Sequence, residues 1–196
     1  MIMKPLNQIR FLLRITRTHG IVRRYFVVNG FDGALTMLGL IMGFVLSSST
    51  DLSVIITACL GAAIALGVSG ASSAYVSEQA ELRRALSELE GAMLTDLQDS
   101  AHGDATRWVP LLIALVNGSA PLFISLLIIS PLWLSKAGIS LFISPLYAAI
   151  IVAFLLIFLL GVFLGRISGI SWIRSGFQTL LIALATVLLI YLFAGG

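Results

Sequence analysis

Apolar residues run almost unbroken through five stretches of this chain, at about 25–46, 52–76, 108–134, 141–164 and 174–193. Each suits a helix of roughly 20 residues, the length that crosses a hydrocarbon core of about 30 Å. Polar interruptions are few: a turn at Ser47 to Asp51, another at Ser135 to Ser140, a third before Arg174, and the segment 77–107. The pattern predicts an all-α membrane protein with five transmembrane helices. Its parts are a basic amphipathic segment at 1–24 and a five-helix transmembrane domain at 25–196, within which 77–107 forms an acidic helical loop.

Composition narrows the class. With 59% hydrophobic and 11% charged residues in 196, the nine acids and twelve bases could not cover a soluble globule, which excludes a soluble enzyme and a nucleic-acid module. The net charge of +3 matters less than where the bases fall. Lys4, Arg10, Arg14, Arg17, Arg23 and Arg24 precede the first span, Arg83, Arg84 and Arg107 lie between the second and third, and Arg166 and Arg174 between the fourth and fifth. Only Lys136 falls on the other side, so the positive-inside rule predicts a cytoplasmic N-terminus and an outside C-terminus. Arg10, Arg14 and Arg17 share a helical face beside Ile9, Leu12, Leu13 and Ile15, which suits either a helix on an anionic leaflet or an orientation signal alone. No small-residue cleavage pattern follows, so this segment is expected to be retained. The single cysteine, Cys59, lies in an apolar run and suits packing.

Asp32 is the one acid well inside a span, roughly 10 Å along the first helix. A carboxylate there costs on the order of 3 kcal/mol unless it faces protein, is protonated or holds a cation. Thr36, Gly39 and Gly43 share its face and would let another helix approach. The competing reading has Asp32 cap a helix that starts after Asn29 and Gly30. In the second span Gly61, Ala65, Ser69 and Ser73 are spaced four apart, a pattern for helix packing in which Ser69 and Ser73 add weak oxygen ligands. Gly161, Gly165 and Gly169 repeat the spacing and suit a dimer or an intramolecular contact equally. Pro121 removes a hydrogen bond from the carbonyl of Asn117, giving either a kink alone or one lining a polar path.

Seven of the nine acids fall in 77–107. If the second helix continues outward at about 100° per residue, Glu78, Glu81, Glu88, Asp96 and Asp99 share an arc of roughly 80°, beside a stripe of Leu82, Leu86, Leu89, Met93 and Leu97. Gly91 marks a possible break. An acid stripe suits hard divalent cations; a solvated face with pairs such as Arg84 to Glu88 is the plainer alternative. His19 and His102 have no metal-site partners, and neither paired in-span carboxylates nor a nucleotide-binding motif is present. The chain is therefore not expected to be an enzyme or to hold a permanent cofactor.

Several pieces, taken in order, resemble the vacuolar iron transporter family from about residue 24 to the end. They are Asp32-Gly33-Ala34-Leu35-Thr36, Tyr75-Val76-Ser77 followed by Glu78 and Glu81, a third span with Gly118 and Pro131, and Arg174-Ser175-Gly176 after the glycine series. The resemblance implies a protomer that forms a twofold homodimer, with a metal path at the interface of first and second helices and Asp32 as the path's aspartate. It also implies export of ferrous iron or manganese from the cytosol in exchange for protons. The family's methionine and glutamate of the second helix are replaced by Gly70 and Ala74, and its cytoplasmic insert is shortened to 77–107. Met37, Met42 and Met93 remain as thioether donors at other positions.

The expected function is divalent metal export by proton antiport, with Asp32, Glu78, Glu81, Glu88, Asp96 and Asp99 as metal ligands and Asp32, Thr36, Ser69, Ser73 and Asn117 lining the path. The metal is cargo, and the expected partners are the bilayer, the cation, protons and a second copy, with no nucleic acid. The alternatives are a transporter of another small solute and a non-transporting metal-binding or interaction protein. The expected location is the cell membrane of a prokaryote or a vacuole-like membrane of a eukaryote.

Overall fold

The computed structural model describes residues 19–47, 51–140 and 142–194, and the N-terminal segment with Arg10, Arg14 and Arg17 lies outside them. The described residues form five helices and no strand: α1 (His19–Leu46), α2 (Leu52–Met93), α3 (Ala101–Lys136), α4 (Pro145–Ser168) and α5 (Trp172–Ala194). All five are long and apolar enough to cross a membrane. Their outward side chains are apolar as well, for example Ile151, Leu155 and Leu159 on α4 and Leu181, Leu184 and Leu188 on α5. So much exposed hydrocarbon is consistent with an integral multi-pass membrane protein.

Local chemistry sets the helix ends. Asp51 Oδ1 accepts the backbone N–H of Ser53 at 2.8 Å and of Val54 at 3.4 Å, which caps α2. Ser100 Oγ accepts the N–H of His102 at 3.2 Å at the start of α3, and Asp104 sits favourably in its first turn. The fourth helix begins at 145 rather than 141, because Pro145 occupies its first turn, where its missing N–H costs nothing. Gly169 ends it at φ 69°, donating its N–H to the Gly165 carbonyl.

α2 does not stop at the apolar run. It continues through Gly91, a possible break, and ends two residues later at Met93; its 42 residues span about 63 Å, roughly twice a hydrocarbon core. The segment 77–107 comprises the extensions of α2 and α3 and the connection between them at residues 94–100. The joint is tied by Glu90, whose carbonyl accepts the N–H of Thr95 at 3.4 Å and whose Oε1 accepts that of Leu97 at 2.9 Å. Leu94 takes a left-handed φ of 51° there.

The chain groups into two units, one built from the residues up to Phe26 with Val68–Ser119, the other from Val27–Gly67 with the residues from Ala120 onward. In the first, Ala74, Ala105, Val109 and Ile113 form a buried cluster against which Val22, Tyr25 and Leu82 pack. In the second, helices meet at small residues. A Cβ on Gly33 would lie 2.8 Å from both Cα and O of Pro121, so α1 meets the backbone of α3 directly. A Cβ on Gly161 would collide with Thr179, and one on Gly165 would lie 2.8 Å from Ser175 Cβ and 2.9 Å from Trp172 Cα. Thr179 Oγ1 adds a bond to the carbonyl of Ile157 at 3.1 Å. The Gly161 and Gly165 spacing thus serves contact with α5 inside one chain.

Gly33→Ala must displace backbone and is expected to cost about 1–3 kcal/mol. Gly91→Ala, in open space in the last turn of α2, is expected to stabilise by a fraction of about 1 kcal/mol. Thermal unfolding of the two variants in detergent should move in opposite directions.

Candidate functional site

α1 buries one stripe, Val27, Gly30, Ala34, Met37, Leu38 and Ile41, at helical spacing. Asp32 points the other way and is exposed on the single chain. Thr36, Gly39 and Gly43 on its face are half-buried; among the described residues nothing lies within 4 Å of a Cβ on Gly43, and a Cβ on Gly39 would meet only Ile190, at 3.6 Å. Asp32 is not an N-cap, because α1 starts at His19 and Asp32 lies ten residues, about 15 Å, beyond Val22. Met37 is fully buried and turned about 140° from Asp32, so its sulfur does not share that face.

Glu78 behaves differently from the acids near it. It follows Gly70 and Ala74 at four-residue spacing on the buried side of α2, and only 7% of it is accessible. Tyr25 donates its hydroxyl to Glu78 Oε1 at 2.9 Å, linking α1 to α2 across 53 residues of sequence. Glu81 and Glu88 are exposed instead, and Arg84 Nε donates to Glu88 Oε1 at 2.9 Å in a solvated ion pair. Asp96 and Asp99 do not extend the acid stripe, because α2 has already ended. Both are exposed in the connection, where Asp96 Oδ1 accepts the N–H of Gln98 at 2.9 Å. The continuous acidic arc expected from helical periodicity is therefore split into a buried Glu78, an exposed pair of turns and a loop. Among the described residues, no three His, Cys, Asp or Glu side chains gather to hold a metal within one chain.

Of the polar path residues, Ser69 and Ser73 are exposed, and Ser73 donates to the Gly70 carbonyl at 3.2 Å. Asn117 is buried, and its Nδ2 donates to the same Gly70 carbonyl at 2.6 Å. Gly70 suits that approach, since a Cβ there would lie a tight 3.2 Å from the Asn117 carbonyl oxygen. Gly70 and Ala74 thus occupy the α2 contact with α3. The proline at 121 leaves α3 continuous. The partly buried Tyr25 and the buried Ser125 carry no signal in the sequence pattern. Tyr25 gives no signal in local spacing, and Ser125, with a buried hydroxyl that finds no partner among the described residues, looks like one more small residue of an apolar span.

Five helices long and apolar enough to cross a membrane are consistent with an integral multi-pass helical membrane protein. No family model matches the chain, and no solved structure is similar to it. It is 33% identical over 172 residues, 86% of either chain, to the uncharacterized protein MJ0645 of Methanocaldococcus jannaschii. The chain belongs to the same family as that archaeal protein.

Tyr25→Phe deprives a buried carboxylate of its donor and is expected to destabilise by about 1–3 kcal/mol, whereas Glu78→Gln, which can still accept the hydroxyl, should cost less. Chemical or thermal unfolding in detergent would rank the two.

Proposed function

We propose that the protein exports a divalent cation, iron or manganese, from the cytosol by proton antiport through a path containing Asp32. The observation that carries this reading is the outward position of Asp32 on a candidate span. A carboxylate facing lipid is costly, and a carboxylate facing a second copy is not, so the reading places a twofold homodimer around it. Two copies of Asp32 then supply the paired oxygen ligands that one chain lacks. Support comes also from the resemblance to vacuolar iron transporters at Asp32 to Thr36.

In this account the N-terminus is cytoplasmic, and the exposed Glu81, Glu88, Asp96 and Asp99 raise the local cation concentration at the mouth. Glu78, held by Tyr25, stands at the inner side of that acidic surface. The cation then displaces protons from the Asp32 pair and is released outward as protons return, coupling the two gradients. Hard oxygen ligands favour manganese and ferrous iron over softer metals. A second reading, transport of another small solute, draws on Gly70 and Ala74, whose engagement in helix packing leaves the path without a soft donor or second acid.

Reconstituted in liposomes with an acidic lumen, the wild type is expected to drive manganese or ferrous iron inward. Asp32→Ala should reduce the rate roughly tenfold or more, as expected when a charge-compensating ligand is lost. Equal uptake by both would contradict the metal path, and proton-coupled uptake of neither metal would favour the second reading.

A further inference from the structure

The proposed path leaves unused a cavity of about 440 Å³ between the polar extensions of α2 and α3. Tyr75, Gln79, Arg83 and Glu90 line it from α2, and Thr106 and Arg107 from α3. Its polar lining is rich in donors. Gln79 Nε2 donates to the Tyr75 hydroxyl at 2.9 Å, which occupies an acceptor site on that oxygen and leaves its proton without a protein acceptor among the described residues. Arg83 and Arg107 form no ion pair among the described residues. The one acid in the lining, Glu90, already accepts the Leu97 N–H through Oε1, and Thr106 donates to the Gly103 carbonyl at 2.7 Å.

Two guanidiniums and a phenol proton therefore face one engaged carboxylate. The complement of such a set is a compact anion with several acceptor oxygens, for which arginine forks are the best-matched donors. The cavity lies where the apolar runs of α2 and α3 end, and the exposed Trp108 follows Arg107 in sequence, a pairing of aromatic and basic side chains that suits a headgroup region. We propose that this cavity binds a phosphate group, carried by an anionic lipid headgroup or free in solution. The proposal does not rest on metal transport.

The test uses the full chain, purified and delipidated in detergent. Its thermal midpoint is titrated with inorganic phosphate, and separately with phosphatidylcholine micelles containing or lacking phosphatidylglycerol. Stabilisation by phosphatidylglycerol alone assigns a headgroup, and stabilisation by inorganic phosphate as well assigns a soluble phosphate. Arg107→Gln is expected to weaken apparent affinity roughly tenfold, while Arg84→Gln, which removes the same charge outside the cavity, leaves it unchanged. Tyr75→Phe keeps the ring and should weaken binding by roughly threefold, which provides a second readout if Arg107→Gln does not fold. No stabilisation by either phosphate source, or equal losses in Arg84→Gln and Arg107→Gln, would overturn the assignment.

Discussion

Helices inside a bilayer gain little hydrophobic energy from one another, because lipid tails are as apolar as leucine, so their cohesion depends on how closely their backbones can approach. This chain meets that constraint with small residues at the crossing points. Gly33 abuts the backbone of Pro121, Gly161 and Gly165 abut Thr179 and Ser175, and Gly70 sits against Asn117. The polar atoms at these contacts are tied down: Asn117 bonds the Gly70 carbonyl, and Thr179 bonds that of Ile157. Dispersion over close surfaces and a few buried hydrogen bonds replace the hydrophobic core of a soluble protein.

The same chemistry makes uncovered small faces informative. Where glycine has been used for packing, a neighbour fills the space beside it. A Cβ on Gly43 or Gly61 would meet nothing within 4 Å among the described residues, and Asp32 lies on the same face of α1 as Gly43. Such a face is costly in lipid and economical against a second copy, which is the physical root of the proposed dimer. Glu78 solves the same problem within one chain, using the Tyr25 hydroxyl as its partner.

Much of the architecture was legible from hydropathy, since spans are set by a length and a polarity that every residue in them shares. Boundaries were less so. Pro145 moved the start of α4, and α2 ended at Met93, two residues past Gly91. The acid stripe failed for a more instructive reason. Periodicity places residues around an axis but does not say which side meets a neighbour, so Glu78 was grouped with Glu81 and Glu88 although it continues the buried side marked by Gly70 and Ala74. The partner that decides its role, Tyr25, is 53 residues away and invisible to local spacing. Glycine spacing had the same ambiguity: at Gly161 and Gly165 it served α5, while a Cβ on Gly43 would meet nothing among the described residues.

Whether a second copy covers the Asp32 face of α1 is what the functional account turns on, and disulfide trapping reads it directly. Single cysteines replacing Thr36, Gly39 or Gly43, in a Cys59→Ser background and in native-like membranes, should yield a covalent dimer on mild oxidation. A cysteine replacing the outward Ile151 of α4 should not. Dimer formation at Ile151 with none at the three α1 positions would contradict the account, because Asp32 would then face lipid with nothing to share its charge.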